Sequence, residues 1–176
     1  MNEHIERVLA RNRNKGALID TNLLLLLFVG AVRRELIGSF KRVSTFAVED
    51  YDLLVDLIEY LGPVFTTPNI LTEVSNFTGQ LSGPDRNKCF ENFASTLTIF
   101  DETYISSKTV AQSGVFKNFG ITDAGIVHLA GEHRLIITND LPLYEFLIRS
   151  KCEALNFSHF APMNWKLTPK LLPRNR

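Results

Sequence analysis

The feature that most restricts this chain is a set of short, unbroken apolar runs, each passing into a polar turn and then a helical pattern. Ala17-Leu18-Ile19 ends at Asp20, Val64-Phe65-Thr66 meets Thr67-Pro68, and Leu135-Ile136-Ile137-Thr138 meets Asn139-Asp140. Apolar runs of this length without polar alternation are strands buried on both faces, the texture of parallel sheets. Between them the period changes. Leu53, Leu54, Leu57, Ile58 and Leu61 recur at helical spacing from Val48 to Leu61, and Gly62-Pro63 stops the pattern. Helices alternating with buried strands predict an α/β fold with a short parallel sheet covered on both faces.

Other signals fill in this frame. Asp20-Thr21-Asn22 turns the first strand into a long apolar helix from about Leu23. Thr67-Pro68 opens a helix, with a capping hydroxyl and then proline at the first helical position. Gly83-Pro84-Asp85 marks a turn before a helix through Phe90, Phe93 and Leu97, and Leu97 to Phe100 reads as a third strand. Gly120-Ile121-Thr122-Asp123 leads into a helix from Ala124 to Glu132. A helix from Leu141 to Ser150 and a last strand near Ala154 to Phe157 complete the series. Residues 1–16 form a basic N-terminal helical extension with Ile5, Val8 and Leu9 on one face, residues 17–160 the main domain, and residues 161–176 an irregular tail with Pro162, Pro169 and Pro173.

Composition limits the function classes. With 176 residues, 45% of them hydrophobic and 13 of them Phe, the chain suits one packed domain and not a disordered segment. The strongest apolar run, Leu23 to Val29, falls far short of the ~20 residues of a membrane span. Nineteen basic residues against nineteen acidic ones argue against indiscriminate coating of nucleic acid. They leave room for a nuclease, since a bound divalent ion offsets acids that the formal count includes. Cys89 and Cys152 form neither a disulfide framework nor a zinc pattern, and no leader opens the chain, so a cytoplasmic setting is expected.

Three acids occupy equivalent places. Asp20 and Asp140 end strands and Asp123 opens a helix. The carboxyl ends of parallel strands converge on one crevice, where acids distant in sequence can meet. For each acid alone, helix capping is the simpler account. Asp20, however, is flanked by Leu18-Ile19 and Leu23-Leu24-Leu25, which predicts deep burial that needs a partner. Asp123 falls about 60° from Ile126 at 100° per residue, inside the apolar arc, whereas His128 falls about 200° away and faces outward. Glu73 is beyond the reach of capping. It lies about 40° past Phe77, at the edge of the stripe formed by Ile70, Val74, Phe77 and Leu81, where an ordinary boundary glutamate is the equal alternative.

In these contexts Ile19-Asp20-Thr21-Asn22-Leu23-Leu24 resembles the opening strand of PIN-domain ribonucleases, the family that includes VapC-type toxins. Thr67-Pro68-Asn69-Ile70-Leu71-Thr72-Glu73-Val74 resembles that family's second acidic motif, Thr122-Asp123-Ala124-Gly125-Ile126 its third, and Ile137-Thr138-Asn139-Asp140 its fourth. They stand in family order over Ala17 to Phe157. The basic segment ahead of the first strand departs from the family pattern, as do the longer stretches Ala31 to Val48 and Gln80 to Lys88.

The resemblance implies a PIN-like three-layer sandwich and a metal-dependent endoribonuclease. Asp20, Glu73, Asp123 and Asp140 would be its catalytic and metal-binding acids, with Asn22 and Thr138 as polar supports. Clustered carboxylates suit Mg²⁺ or Mn²⁺, which prefer oxygen ligands and keep several waters. The implied reaction leaves 5′-phosphate and 3′-hydroxyl ends on RNA. Arg33, Arg34, Lys41, Arg42, Lys108 and Lys117 are candidate backbone contacts, though solvated surface charge is the commoner role for such residues. Phe116 and Phe119 beside Lys117 suit either base stacking or the core. An antitoxin protein and a homodimer are the partners the resemblance implies. The alternative is a non-catalytic PIN-like module that binds RNA or protein. A haloacid-dehalogenase-like site would need aspartate where Asn22 stands, and no dinucleotide-binding G-x-G-x-x-G follows the first strand.

Overall fold

The computed structural model describes residues 3–132 and 134–159. In chain order the elements are α1 (Glu3–Asn12), β1 (Ala17–Ile19), α2 (Thr21–Val32), α3 (Glu35–Ser39), α4 (Val48–Leu61), β2 (Val64–Thr66), α5 (Pro68–Thr78), α6 (Gly83–Leu97), β3 (Asp101–Glu102), α7 (Ser107–Ala111), α8 (Phe116–Ala130), β4 (Ile136–Thr138), α9 (Leu141–Arg149) and β5 (Ala154–Asn156). A short 3₁₀ turn, Phe157–His159, follows β5. The expected tail, residues 161–176, lies outside the described residues. Among the described residues no helix is long and apolar enough to cross a membrane.

All five strands are parallel, in the order β3-β2-β1-β4-β5. β1 is central: Ala17 is opposite Val64 on one side and Leu18 opposite Ile136 on the other. The chain lays β2 and β3 to one side of β1, then returns to lay β4 and β5 on the other. The order therefore reverses between β1 and β4, and ligand crevices in open parallel sheets open outside the carboxyl ends of strands at such a switch point.

The helix after β1 is apolar on every face along its middle because it is enclosed there. Leu23, Leu24, Leu25 and Leu26 are each fully buried. It packs against α4, α5 and α6, and Phe28 meets Phe93 edge-on at 4.9 Å between ring centres. Gly30 is required by close approach, since a Cβ there would stand 2.2 Å from the Tyr51 ring. At the other edge, α1 buries Ile5, Val8 and Leu9 in the same core as the sheet. Asn12 donates to Glu153 at 2.8 Å, which fastens α1 to the segment entering β5.

Two sequence expectations need correction. Leu97 to Phe100 is not a strand. The α6 helix runs through Leu97, Thr98 and Ile99 close turns onto Ser95 and Thr96, and pairing starts only at Asp101 opposite Phe65. The β-branched pair Thr98-Ile99 imitates a strand. The real one is an exposed edge carrying two acids, a composition that discourages further pairing. The helix expected from Ala124 begins earlier, at Phe116, and is broken at Gly120, whose φ of 71° and ψ of −169° favour glycine.

Candidate active site

Asp20 and Asp140 stand at the switch point because they follow neighbouring strands, β1 and β4. Both cap helices. Asp20 Oδ1 accepts the Leu23 N–H at 3.0 Å, and Asp140 Oδ1 accepts the Leu143 N–H at 2.7 Å. Capping does not exhaust Asp20, which is only 4% exposed. Its Oδ2 accepts the Asn139 N–H at 3.0 Å and the Thr138 hydroxyl. Thr138 in turn accepts the Asp140 N–H at 2.9 Å, so one buried hydroxyl ties the end of β1 to the end of β4. Asn22 is exposed and donates to Asn139 Oδ1 at 3.2 Å, which supports the Asn139 turn, and among the described residues it donates to no carboxylate. Burial pushes the Asp20 carboxyl up from its ordinary range, against the pull of its three donors, and Asp140 raises it further.

Glu73, on the second turn of α5, is half-buried. Its Oε2 accepts the Thr21 hydroxyl at 2.9 Å and its Oε1 accepts the Thr122 hydroxyl at 2.8 Å. Asp123 comes next in the chain after Thr122 and differs from the other three acids. Among the described residues nothing donates to its carboxyl, and it faces Asp140, Asp20 and Glu73. Desolvation, followed by those three charges, raises its pKa from 3.8 to about 7. His128 on the same helix is exposed, as its angle on the helix predicts.

The structure thus brings four acids from four elements into electrostatic contact, and among the described residues no cation pairs with any of them. The arginines singled out in the sequence are engaged elsewhere. Arg33 pairs with Asp85 at 2.5 Å, and Arg34 grips both oxygens of Asp52 at 2.7 and 2.8 Å while covering the Tyr51 ring. Arg42 donates to Gln80 at 3.0 Å and covers Phe77. Lys41, Lys108 and Lys117 are exposed. Phe119 packs against the core and meets Phe146 at 5.1 Å, so it is a packing residue, and Phe116 is half-buried.

The donor set here is all carboxylate oxygen, the kind that hard divalent cations take. Among the described residues no three acidic, histidine or cysteine side chains stand close enough to enclose an ion directly. A hard ion such as Mg²⁺ that keeps several of its waters would meet such a set through those waters. Asp123 has much to gain, since a cation would relieve its desolvation and the repulsion from three neighbours. No part in the site is legible in the sequence for Thr21, Thr122 or the Asn139 amide, although each is adjacent to an acid singled out there. Side-chain partners distant in sequence leave no local pattern. No family model matches the chain, and no curated protein or solved structure matches it either.

Proposed function

We propose that the chain is a PIN-type, Mg²⁺- or Mn²⁺-dependent endoribonuclease. The observation that carries this reading is Asp123, a carboxyl without a donor among the described residues, facing three other acids at the switch point of a parallel sheet. A fold that only needed helix caps would have no use for a fourth, unpartnered acid there. Asp20, Asp123 and Asp140 would hold the ion, in part through water. When bound, it would supply a water activated at neutral pH and offset charge on the phosphate oxygens. Within the chain, Thr138 and the Asn139 amide keep Asp20 oriented and favour its charged form against the larger upward push of burial. With Arg33 and Arg34 occupied by acids, Lys117 and Lys108 remain the better candidates for phosphate contacts. A toxin role, with an antitoxin and a homodimer, belongs to the same proposal and is supported only by the likeness of the motifs to VapC-type toxins.

A non-catalytic PIN-like module that binds RNA or protein is the second reading. The carboxylate spacing favours it, since no three acids enclose an ion directly. Labelled single-stranded RNA incubated with Mn²⁺ or Mg²⁺ separates the two. Cleavage that stops with EDTA and with Asp20→Asn supports the nuclease. RNA retention without cleavage supports the module, and cleavage that survives Asp20→Asn removes the site from the chemistry.

A further inference from the structure

Glu73 is the one acid of the four with both oxygens held by side chains of other elements. Its two donors are placed tellingly. Thr21 is the first residue of α2 and follows Asp20, while Thr122 precedes Asp123 in α8 just beyond the break at Gly120. Both threonines are buried, at 8% and 5% exposure. A β-branched side chain on a helix has few rotamers, so the direction of each hydroxyl follows the backbone that carries it. One carboxylate therefore fixes the backbone beside Asp20 relative to the backbone beside Asp123, across three helices.

We propose that Glu73 is a positioning residue, which sets the separation of Asp20 and Asp123 through the hydroxyls of Thr21 and Thr122 instead of binding the ion itself. The tie matters most at Thr122. Gly120 kinks α8, so the turn bearing Asp123 depends on side-chain contacts for its place against α5. This rests on the ion-binding reading above and assigns within it a task that capping and charge do not explain.

The test combines Mn²⁺ titration calorimetry with amide hydrogen exchange on the full chain. Thr122→Val and Thr21→Val are expected to weaken Mn²⁺ about tenfold, the lower end of what loss of an outer partner costs a metal site, and Thr122→Ser and Thr21→Ser to restore affinity within about twofold. Adding Thr122→Val to Glu73→Ala should cost little more than Glu73→Ala alone, because the two changes cut the same tie. Fully additive losses would show Glu73 acting on the ion independently and would overturn the proposal, as would unchanged affinity in both valine variants. Without metal, Thr122→Val should speed exchange across residues 121–126 and Thr122→Ser should not. Unchanged exchange would also overturn it. A wild-type chain that binds no Mn²⁺ sinks the ion reading instead, and the exchange result then decides the tie alone.

Discussion

The two ends of the sheet treat acids in opposite ways. At the amino edge, Glu153 enters β5 paired with Arg11 and accepting from Asn12, both on α1. A cleft of about 610 Å³ opens there among Val8, Arg11, Ala130, Ile148, Cys152 and Glu153. At the carboxyl edge, four acids meet without a cation among the described residues, and hydroxyls and backbone amides hold three of them. Glu153 is given a positive partner. Acids gathered with neutral donors repel one another when charged, which destabilises the folded chain unless something cationic arrives. The cleft and the gathered carboxylates therefore lie at opposite ends of one sheet.

The strongest way to break this contrast is Asp20→Asn. The amide still caps α2 through its carbonyl, so melting should show a folded chain. RNA cleavage with Mn²⁺ should fall by more than the roughly 10–100-fold that loss of an outer partner costs a metal site. Retained cleavage would make the carboxyl edge as structural as the amino edge.

Thr138→Val comes next. It removes a donor from buried Asp20 and strands the Asp140 N–H, a loss of about 1–3 kcal/mol that urea unfolding would register.

The pH dependence is gentler and has a definite sign. Folding raises the Asp123 pKa from 3.8 to about 7, so between those values the folded chain binds more protons than the unfolded one. Its contribution to stability is therefore greatest at low pH and is lost as pH rises through that interval. Asp123→Asn should raise the melting temperature at pH 8 and leave it nearly unchanged near pH 4. Equal effects at both would show that the acid is not desolvated as described.

The smallest effect belongs to the amino edge. Glu153→Gln should cost under about 1 kcal/mol, because Arg11 is 64% exposed and such pairs are weak. It should leave Mn²⁺ binding untouched. A loss of binding there would erase the distinction between the two edges.

Much of this was readable beforehand where local chemistry and tertiary need agree. Val48–Leu61 and Val64–Thr66 match the expected bounds because Gly62-Pro63 separates a helical period from a buried run. Asp20, Glu73, Asp123 and Asp140 were legible as candidates because strand ends and helix faces are periodic properties. The edge strand Asp101–Glu102 was not legible, since its pairing depends on β2 alone and its own residues are charged. Nor were the engagements of Arg33 and Arg34, whose acids lie 52 and 18 positions away.

The sequence by itself determined which segments are buried on both faces, and so the parallel sheet and the strand-end acids, because burial and period are written residue by residue. Only the tertiary structure decided which acid is left without a donor among the described residues, because that depends on hydroxyls brought in from other elements. Thr21 and Thr122 reach Glu73 across 52 and 49 positions, and Thr138 reaches Asp20 across 118. Hydrogen bonds over such distances follow from packing geometry, which no local pattern encodes.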